Sequence, residues 1–590
     1  MKRNYIKFIY KIALACCVVA TSSCKKALDL KPKDQVDVTN AYQNVYDANA
    51  AVIGIYGQLL GIADRYIVLN ELRADLMSPT ANADQYLRQL NEHSETTDNP
   101  WVDPKPWYKI ILNINDAMYH FDDMYKNGKL KATEYQERYS DLGSLRCWLY
   151  LQLGMHYGSV PYVTDPLASI DDLKDQSKYP KMAFSDILKK LATFMNDPAR
   201  SLETYSASDP ITGATNSALN TTIDGNSTSL FFALKYAIKG DVNLWAGNYK
   251  DASTAYKYLM EYGAQRGGYT DASAQKYWYY KVCYDLFNIS YGNNSDNQFV
   301  DGTTAGYREL FANATGTNIG GEHLWRMPFS TTFGPQNPFI NLFSNQGGSY
   351  LLTVSKALVN NWNSQVQNNG FPYDARSRVA VRTINGQPVI MKQLYFYLNG
   401  TTFLPNNIFS KQGYWLIYRT SMLQQHFAES ALNDGQNKIA YCLLNVGIRN
   451  MYNPYAPNLP PGSYDVTNTE QTFLPPPYDF DARSGGPQGY HKDWYREVGT
   501  RSRANLVRLD STIISRPTEL ENEIINDSGR ELCFEGVRWG DLVRVALRRG
   551  DPSFLANKIG DKLVAEGNPN AEAVRKKLMT VSNWYLPFKL

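Results

Sequence analysis

Apolar positions recur at helical spacing along much of this chain. Val45, Ala48, Val52, Ile55, Tyr56 and Leu59 fall on one face of a helix expected over 39–61, with Thr39 or Asn40 as its cap. The same period predicts helices over 107–125, 133–157 and 184–195. The second of these is stopped by Gly158, and Pro161 prevents its continuation.

Residues 230–263 carry a paired pattern. Tyr236, Gly240, Ala252 and Tyr256 are spaced to interlock across a turn at 247–252, as in a tetratricopeptide-type (TPR-like) helix pair. Residues 414–451 repeat it, with Ala428 and Leu444 either side of a turn at 435–440. A last short helix is expected near 571–579. The fold class expected is all-α: one domain over 39–590, a scaffold of TPR-like helix pairs that are not consecutive and so form no simple solenoid.

Between the helices the pattern lapses into long polar stretches. Residues 69–79 run into a polar loop at 80–106, too long to be a mere connector and anchored by Trp101 with Trp107 directly after it. Residues 202–226 are rich in Ser, Thr and Asn. The stretch 270–410 is a loop-rich insertion with Trp278, Tyr279, Tyr280 and Trp325, and 453–515 is a second irregular segment.

One stretch mixes both textures. In 530–544, RELCFEGVRWGDLVR, Glu531, Glu535, Arg538, Asp541 and Arg544 are three or four apart, a spacing at which they share one helix face and pair in a ladder. Such a ladder is either an acid/base array or a structural clamp.

The first residues belong to targeting. Lys2, Arg3, Lys7 and Lys11 precede the short apolar run 12–20, then small residues lead to Cys24. Residues 1–23 read as a lipoprotein signal peptide, Cys24 as the lipidated residue, and 24–38 as a tether. Cys147, Cys283, Cys442 and Cys533 show no clustering and read as buried free thiols.

Composition narrows the function. Net charge is +3, which gives no electrostatic footprint for nucleic acid. The six His lie at no metal-ligand spacing, so neither a metal nor another cofactor is expected. No nucleophile elbow or phosphate loop occurs. Glu531 and Glu535 could be a glycosidase pair, but an arginine near each keeps a carboxyl ionised, the wrong direction for a general acid. The clamp is preferred.

The 43 Tyr and 11 Trp point instead to binding. A sugar offers an apolar face and a hydroxyl rim, and is met by stacking rings beside Asn, Asp and Arg. Trp101 with Asp75, Arg88 and Asn99 supplies that mix, as do Trp278, Tyr279 and Trp325 with neighbouring Asn residues.

Several motifs carry a resemblance over nearly the whole length. They include Cys24 with Leu28-Asp29 and Pro32, Gly54-Ile55-Tyr56, Leu72 to Asp75, and Trp107-Tyr108 with Ile111 and Asn115. Arg146 with Tyr157-Gly158-Ser159-Val160-Pro161 follows, then Arg419, Ala428-Glu429 and Ile448-Arg449. The most specific is Arg530-Glu531-Leu532, Phe534-Glu535-Gly536, Arg538 and Asp541-Leu542. With these the chain resembles the SusD/RagB family of outer-membrane nutrient-binding lipoproteins.

The resemblance implies a TPR-like scaffold under a loop-rich ligand face, an outer-membrane lipid anchor facing the cell exterior, and no catalysis. It also implies delivery of an oligosaccharide to a SusC-like TonB-dependent transporter. A peptide ligand for the same kind of transporter, or an all-α glycoside hydrolase, are the alternatives.

Overall fold

The computed structural model describes residues 41–197, 219, 221–262, 307–312, 322–399, 402–452, 474–480 and 499–590. The signal, Cys24, the tether, Cys283, Trp278 and Tyr279 lie outside the described residues.

Helix α1 spans Val45–Leu59, and its cap is Asn44 rather than Thr39 or Asn40. The Asn44 side chain accepts the N–H of Tyr46 at 2.8 Å, while the Asp47 carboxylate accepts the N–H of Asn44 at 3.2 Å, a reciprocal capping box. The expected helices follow as α2, Lys105–Lys126, α3, Ala132–Tyr157, and α4, Phe184–Asn196.

The first helix pair is α5, Lys235–Ala246, with α6, Tyr249–Tyr262, joined through Gly247 at φ +80°. Gly240 allows their close approach, since a Cβ there would lie 2.2 Å from the Tyr256 ring. The second pair is α7, Thr420–Asn433, with α8, Asn437–Leu444. Far apart in sequence, the two pairs meet in space: α6 packs on α7, and the Ser253 and Ser430 hydroxyls touch at 2.8 Å. Four helices close the C-terminal part: α9, Pro517–Glu531, α10, Arg538–Arg549, α11, Ser553–Glu566, and α12, Ala571–Leu578, and shorter ones interrupt the expected loops, at Gln85–Asn91 and Lys356–Asn363 among others. The TPR-like, predominantly helical scaffold is as expected.

Five two-stranded sheets among the described residues depart from it, and two of them bear on the site. Met77–Pro79 (β1) pairs antiparallel with Leu352–Val354 (β3), tying the front of the 80–106 loop to the insertion. His323–Phe329 (β2) pairs antiparallel with Gly413–Arg419 (β4), so 414–419 is strand and not the start of a helix. All of β2 is buried, and with both faces covered its sequence shows no alternation. Beneath them Trp107, Trp148, Trp325 and Trp415 form an indole core with Tyr66.

Cys147, Cys442 and Cys533 are free and buried as expected, and burial pushes the Cys147 and Cys533 thiols up to about 12.

Candidate functional site

The charged stretch does not form one helix face. Helix α9 ends at Glu531 and α10 starts at Arg538, and between them Phe534 and Gly536 take φ +67° and +86°. Only glycine fits at 536, because a Cβ would lie 2.0 Å from the Tyr66 ring. The break aims neighbouring acids at different partners.

Glu531 receives Arg376 at 3.0 Å and Arg419 at 2.7 Å, together with Arg503. Glu535 receives Arg419 and Lys392, each at 2.7 Å. Arg538 holds Asp75 at 2.6 Å, and Arg544 holds Glu429 at 2.6 Å. Within the ladder as expected, only Asp541 with Arg544, at 2.7 Å, is a local pair.

The centre balances Glu322, Asp374, Asp527, Glu531 and Glu535 against Arg376, Lys392, Arg419, Arg503 and Arg530, all buried. Against the cost of burial, Arg503, Arg419 and Arg376 hold the Glu531 carboxyl well below the usual range, and Arg419 and Lys392 lower Glu535. Ionised, paired and sealed from solvent, neither carboxylate can protonate a leaving group on a sugar. The stretch is a clamp.

Three residues expected to meet a ligand are part of that interior. Trp325 is 1% exposed, and its indole N–H donates to the Phe231 carbonyl at 2.7 Å. Both carboxylate oxygens of Asp75 accept from Arg538, at 2.6 and 2.8 Å. Asn99 is buried: its oxygen caps the turn at Trp101 N–H, and its amide donates to Tyr86 O and Gln89 Oε1. Arg88 is exposed, but its guanidinium closes the loop by donating to the carbonyls of Thr80 and Ala81, both at 3.0 Å. Trp101 is half-buried against the core. The 80–106 loop is thus rigid: Arg65 donates to the carbonyls of Pro100, at 2.9 Å, and of Trp101 and Asp103. Asp75, Arg88 and Asn99 spend their hydrogen bonds on the protein and so fix a wall.

That wall borders three neighbouring clefts, adjacent ones sharing lining residues, which together make an open groove. The first, about 250 Å³, lies over Asp98 and Asn99 beside Lys589. Asp103 and Lys105 lead from it into the second, about 710 Å³, between α1, α2 and residues 167–170. Gln58 leads from there into the third, about 380 Å³, between α1 and the loop after β2.

At the junction Asn113 Nδ2 donates to Gln58 Oε1 at 2.6 Å. The rest of each amide has no protein partner among the described residues. Whichever way the two amides are turned, the pair leaves a donor and an acceptor facing the groove. Lys105 and Lys109 add cations along the same wall.

The groove's floor was hidden in the sequence. Gly54, Gly57 and Gly61 share one face of the N-terminal helical run and line the clefts, and an added Cβ at any of them would meet nothing within 4 Å. Exposed glycine inside a helix costs stability without any packing reason, and that spacing was the available signal. The other enclosed polar chamber, lined by Asp241, His426 and Asp541, has only about 40 Å³ and admits no sugar. There, against burial, Asp241 at 2.8 Å and Asp541 push His426 up to about 9.

Solved structures share this architecture. A SusD superfamily protein from Bacteroides vulgatus matches with a TM-score of 0.55 and 12% identity, over 91% of this chain and 92% of that one. A SusD-like carbohydrate binding protein from Bacteroides fragilis matches at 0.55 and 15%, over 87% and 88%. B. fragilis NanU matches at 0.51 and 14%, over 90% and 94%. No family model and no curated protein matches the sequence. The fold is that of the SusD superfamily.

Proposed function

We propose that this chain is a SusD/RagB-type lipoprotein that captures an oligosaccharide in the groove and does no bond chemistry. In this reading Cys24 anchors it by lipid to the outer membrane, facing the exterior, and a SusC-like TonB-dependent transporter receives the ligand. The fold shared with a SusD-like carbohydrate binding protein supports this. The observation that carries it is the Gln58–Asn113 junction: one unpaired donor and one unpaired acceptor at the middle of a long open groove. Sugar hydroxyls, each both donor and acceptor, match it. Modest affinity suits the role, because a transporter held against the lipoprotein raises the effective concentration.

A peptide is the second reading, favoured by Lys105 and Lys109, which could hold a terminal carboxylate.

Affinity electrophoresis through gels carrying a panel of polysaccharides tests the proposal. Retardation by at least one glycan is expected, with loss in the Gln58→Ala/Asn113→Ala double variant and no change for folded Trp325→Ala. Retardation indifferent to the double variant would place the site elsewhere. Steady release of reducing ends would overturn the binding-only role.

A further inference from the structure

The third cleft differs in kind from the rest of the groove. Ile53, Leu60, Ile223, Phe231, Met327 and Phe333 are among its walls. Two lining residues have polar side chains. The Tyr56 hydroxyl is occupied, donating to Asp141 at 2.9 Å and accepting the Ala233 N–H at 3.0 Å. Gln58 stands at the rim, shared with the neighbouring cleft.

A sugar ring pushed into this space would leave hydroxyls without partners, at roughly tenfold to a hundredfold in affinity for each. Yet the space is kept open. Gly54 and Gly57 form its floor at i and i+3, where an added Cβ would meet no protein atom within 4 Å and alanine would favour the helix. At about 380 Å³ the cleft lies in the ordinary range for small-molecule pockets, about 300–1,000 Å³. It continues directly from the polar cleft through Gln58.

We infer that the third cleft is an apolar subsite, and that the ligand is a glycan carrying an alkyl, acyl or aryl substituent which lodges there while its sugars lie along the Gln58–Asn113 wall. This rests on the glycan reading above. The division of labour follows from the walls: the apolar group supplies affinity by leaving water, and the amides and lysines supply orientation. An unsubstituted glycan would bind more weakly, with the third cleft still wet.

The test is calorimetric titration of the full chain with methyl, hexyl and octyl β-D-glucopyranoside below their micelle concentrations. Each methylene buried should tighten binding about fourfold, and we expect octyl glucoside to bind at least a hundredfold more tightly than the methyl compound. Gly57→Leu should fill the cleft without a clash, melt no lower than the parent, and cut that gain to less than threefold. Equal affinity across the series would overturn the inference. So would an equal gain in parent and Gly57→Leu, which would mark detergent adsorbed elsewhere. A larger loss on Gly57→Leu for the neutral peptide acetyl-Phe-Leu-Phe-amide would make the occupant a peptide.

The glycan gels separate the two failures. Glycan retardation without a chain-length gain sinks the apolar subsite alone. A cleft-dependent gain without any glycan retardation sinks the glycan reading, and with it the substituted glycan.

Discussion

The charged centre around Glu531 and the groove along α1 are built on opposite terms. At the centre, strongly interacting side chains converge from Arg376, Lys392, Arg419 and Arg503, and each is consumed by another. Along the groove the decisive residues are glycines and half-used amides, and what matters is what they leave open. Chemical reactivity in a sequence is therefore a poor guide to which side chains this molecule leaves open to solvent. A buried ion pair also gains little over an apolar core, but breaking one is costly because the survivor is stranded.

Removing Arg376 should break the comparison most violently. Arg376→Ala takes from buried Asp374, Asp527 and Glu531 the one cation that all three share, leaving Arg530 to the two aspartates and Arg419 and Arg503 to Glu531, and the loss should reach the upper part of about 3–5 kcal/mol, read by urea unfolding. Glu535→Ala leaves Arg419 two other carboxylate neighbours, Glu531 and Glu322. It should cost nearer about 3 kcal/mol and leave glycan affinity of the folded fraction unchanged. Weakened binding at full stability would refute the clamp.

Acid and base sharpen the contrast within the scaffold itself. The depressed carboxylates, Asp527 at about 2 and, lowered by their arginines and Lys392, Glu531 and Glu535, stabilise fully above the ordinary carboxylate range, and that contribution is lost as pH falls through their folded values. Glu71 runs the other way. Burial pushes it up to about 7, although it accepts the N–H groups of Gly536 at 2.8 Å and Val537 at 3.1 Å. Its contribution is present at low pH and is lost as pH rises through 7. Glu71→Gln keeps an acceptor without the charge, so its stability relative to the parent should rise by about 2 kcal/mol from pH 5 to pH 8. Paired melts at the two pH values check this, and a constant difference would mean that folding does not raise the Glu71 carboxyl.

The smallest effect belongs to the groove. Gly57→Ala fills no contact and removes backbone freedom from the unfolded chain, so stability should rise by about 0.4–1 kcal/mol. A loss would mean that the open face is packed after all.

How much was legible follows from the same contrast. Helix positions came through because α1, α2 and α4 bury one face at a regular period, while α3, buried on all sides from Arg138 to Tyr157, was marked by its stop at Gly158 and Pro161, and both helix pairs showed their turn glycines, Gly247 and Gly435. The strand at Gly413–Arg419 did not, since a run buried on both faces carries no alternation. The clamp was recognised for the wrong partners. Arg376 lies 155 residues from Glu531, a distance that no local spacing encodes, and the break at Gly536 undoes the ladder that spacing suggested. In the candidate site, Asp75, Asn99 and Trp325 had the right chemistry, but their hydrogen-bonding capacity is spent internally. The residues of the proposed groove, Gly54, Gly57, Gln58 and Asn113, have no distinctive chemistry to announce them.

The grip between the two ends of the described chain has a consequence for how the protein comes into being. The turn after α1 offers Glu71 to Gly536 and Val537, Asp75 to Arg538, and the carbonyls of Leu72 and Met77 to Lys562. These partners are more than 460 residues away. Loop closure over such a distance makes late assembly the slow step. A nascent chain thus holds its first charged turn unsatisfied until synthesis is nearly finished. Fragments that stop short of Gly536 lack every one of these partners, so the buried acids of that turn have nothing to close onto.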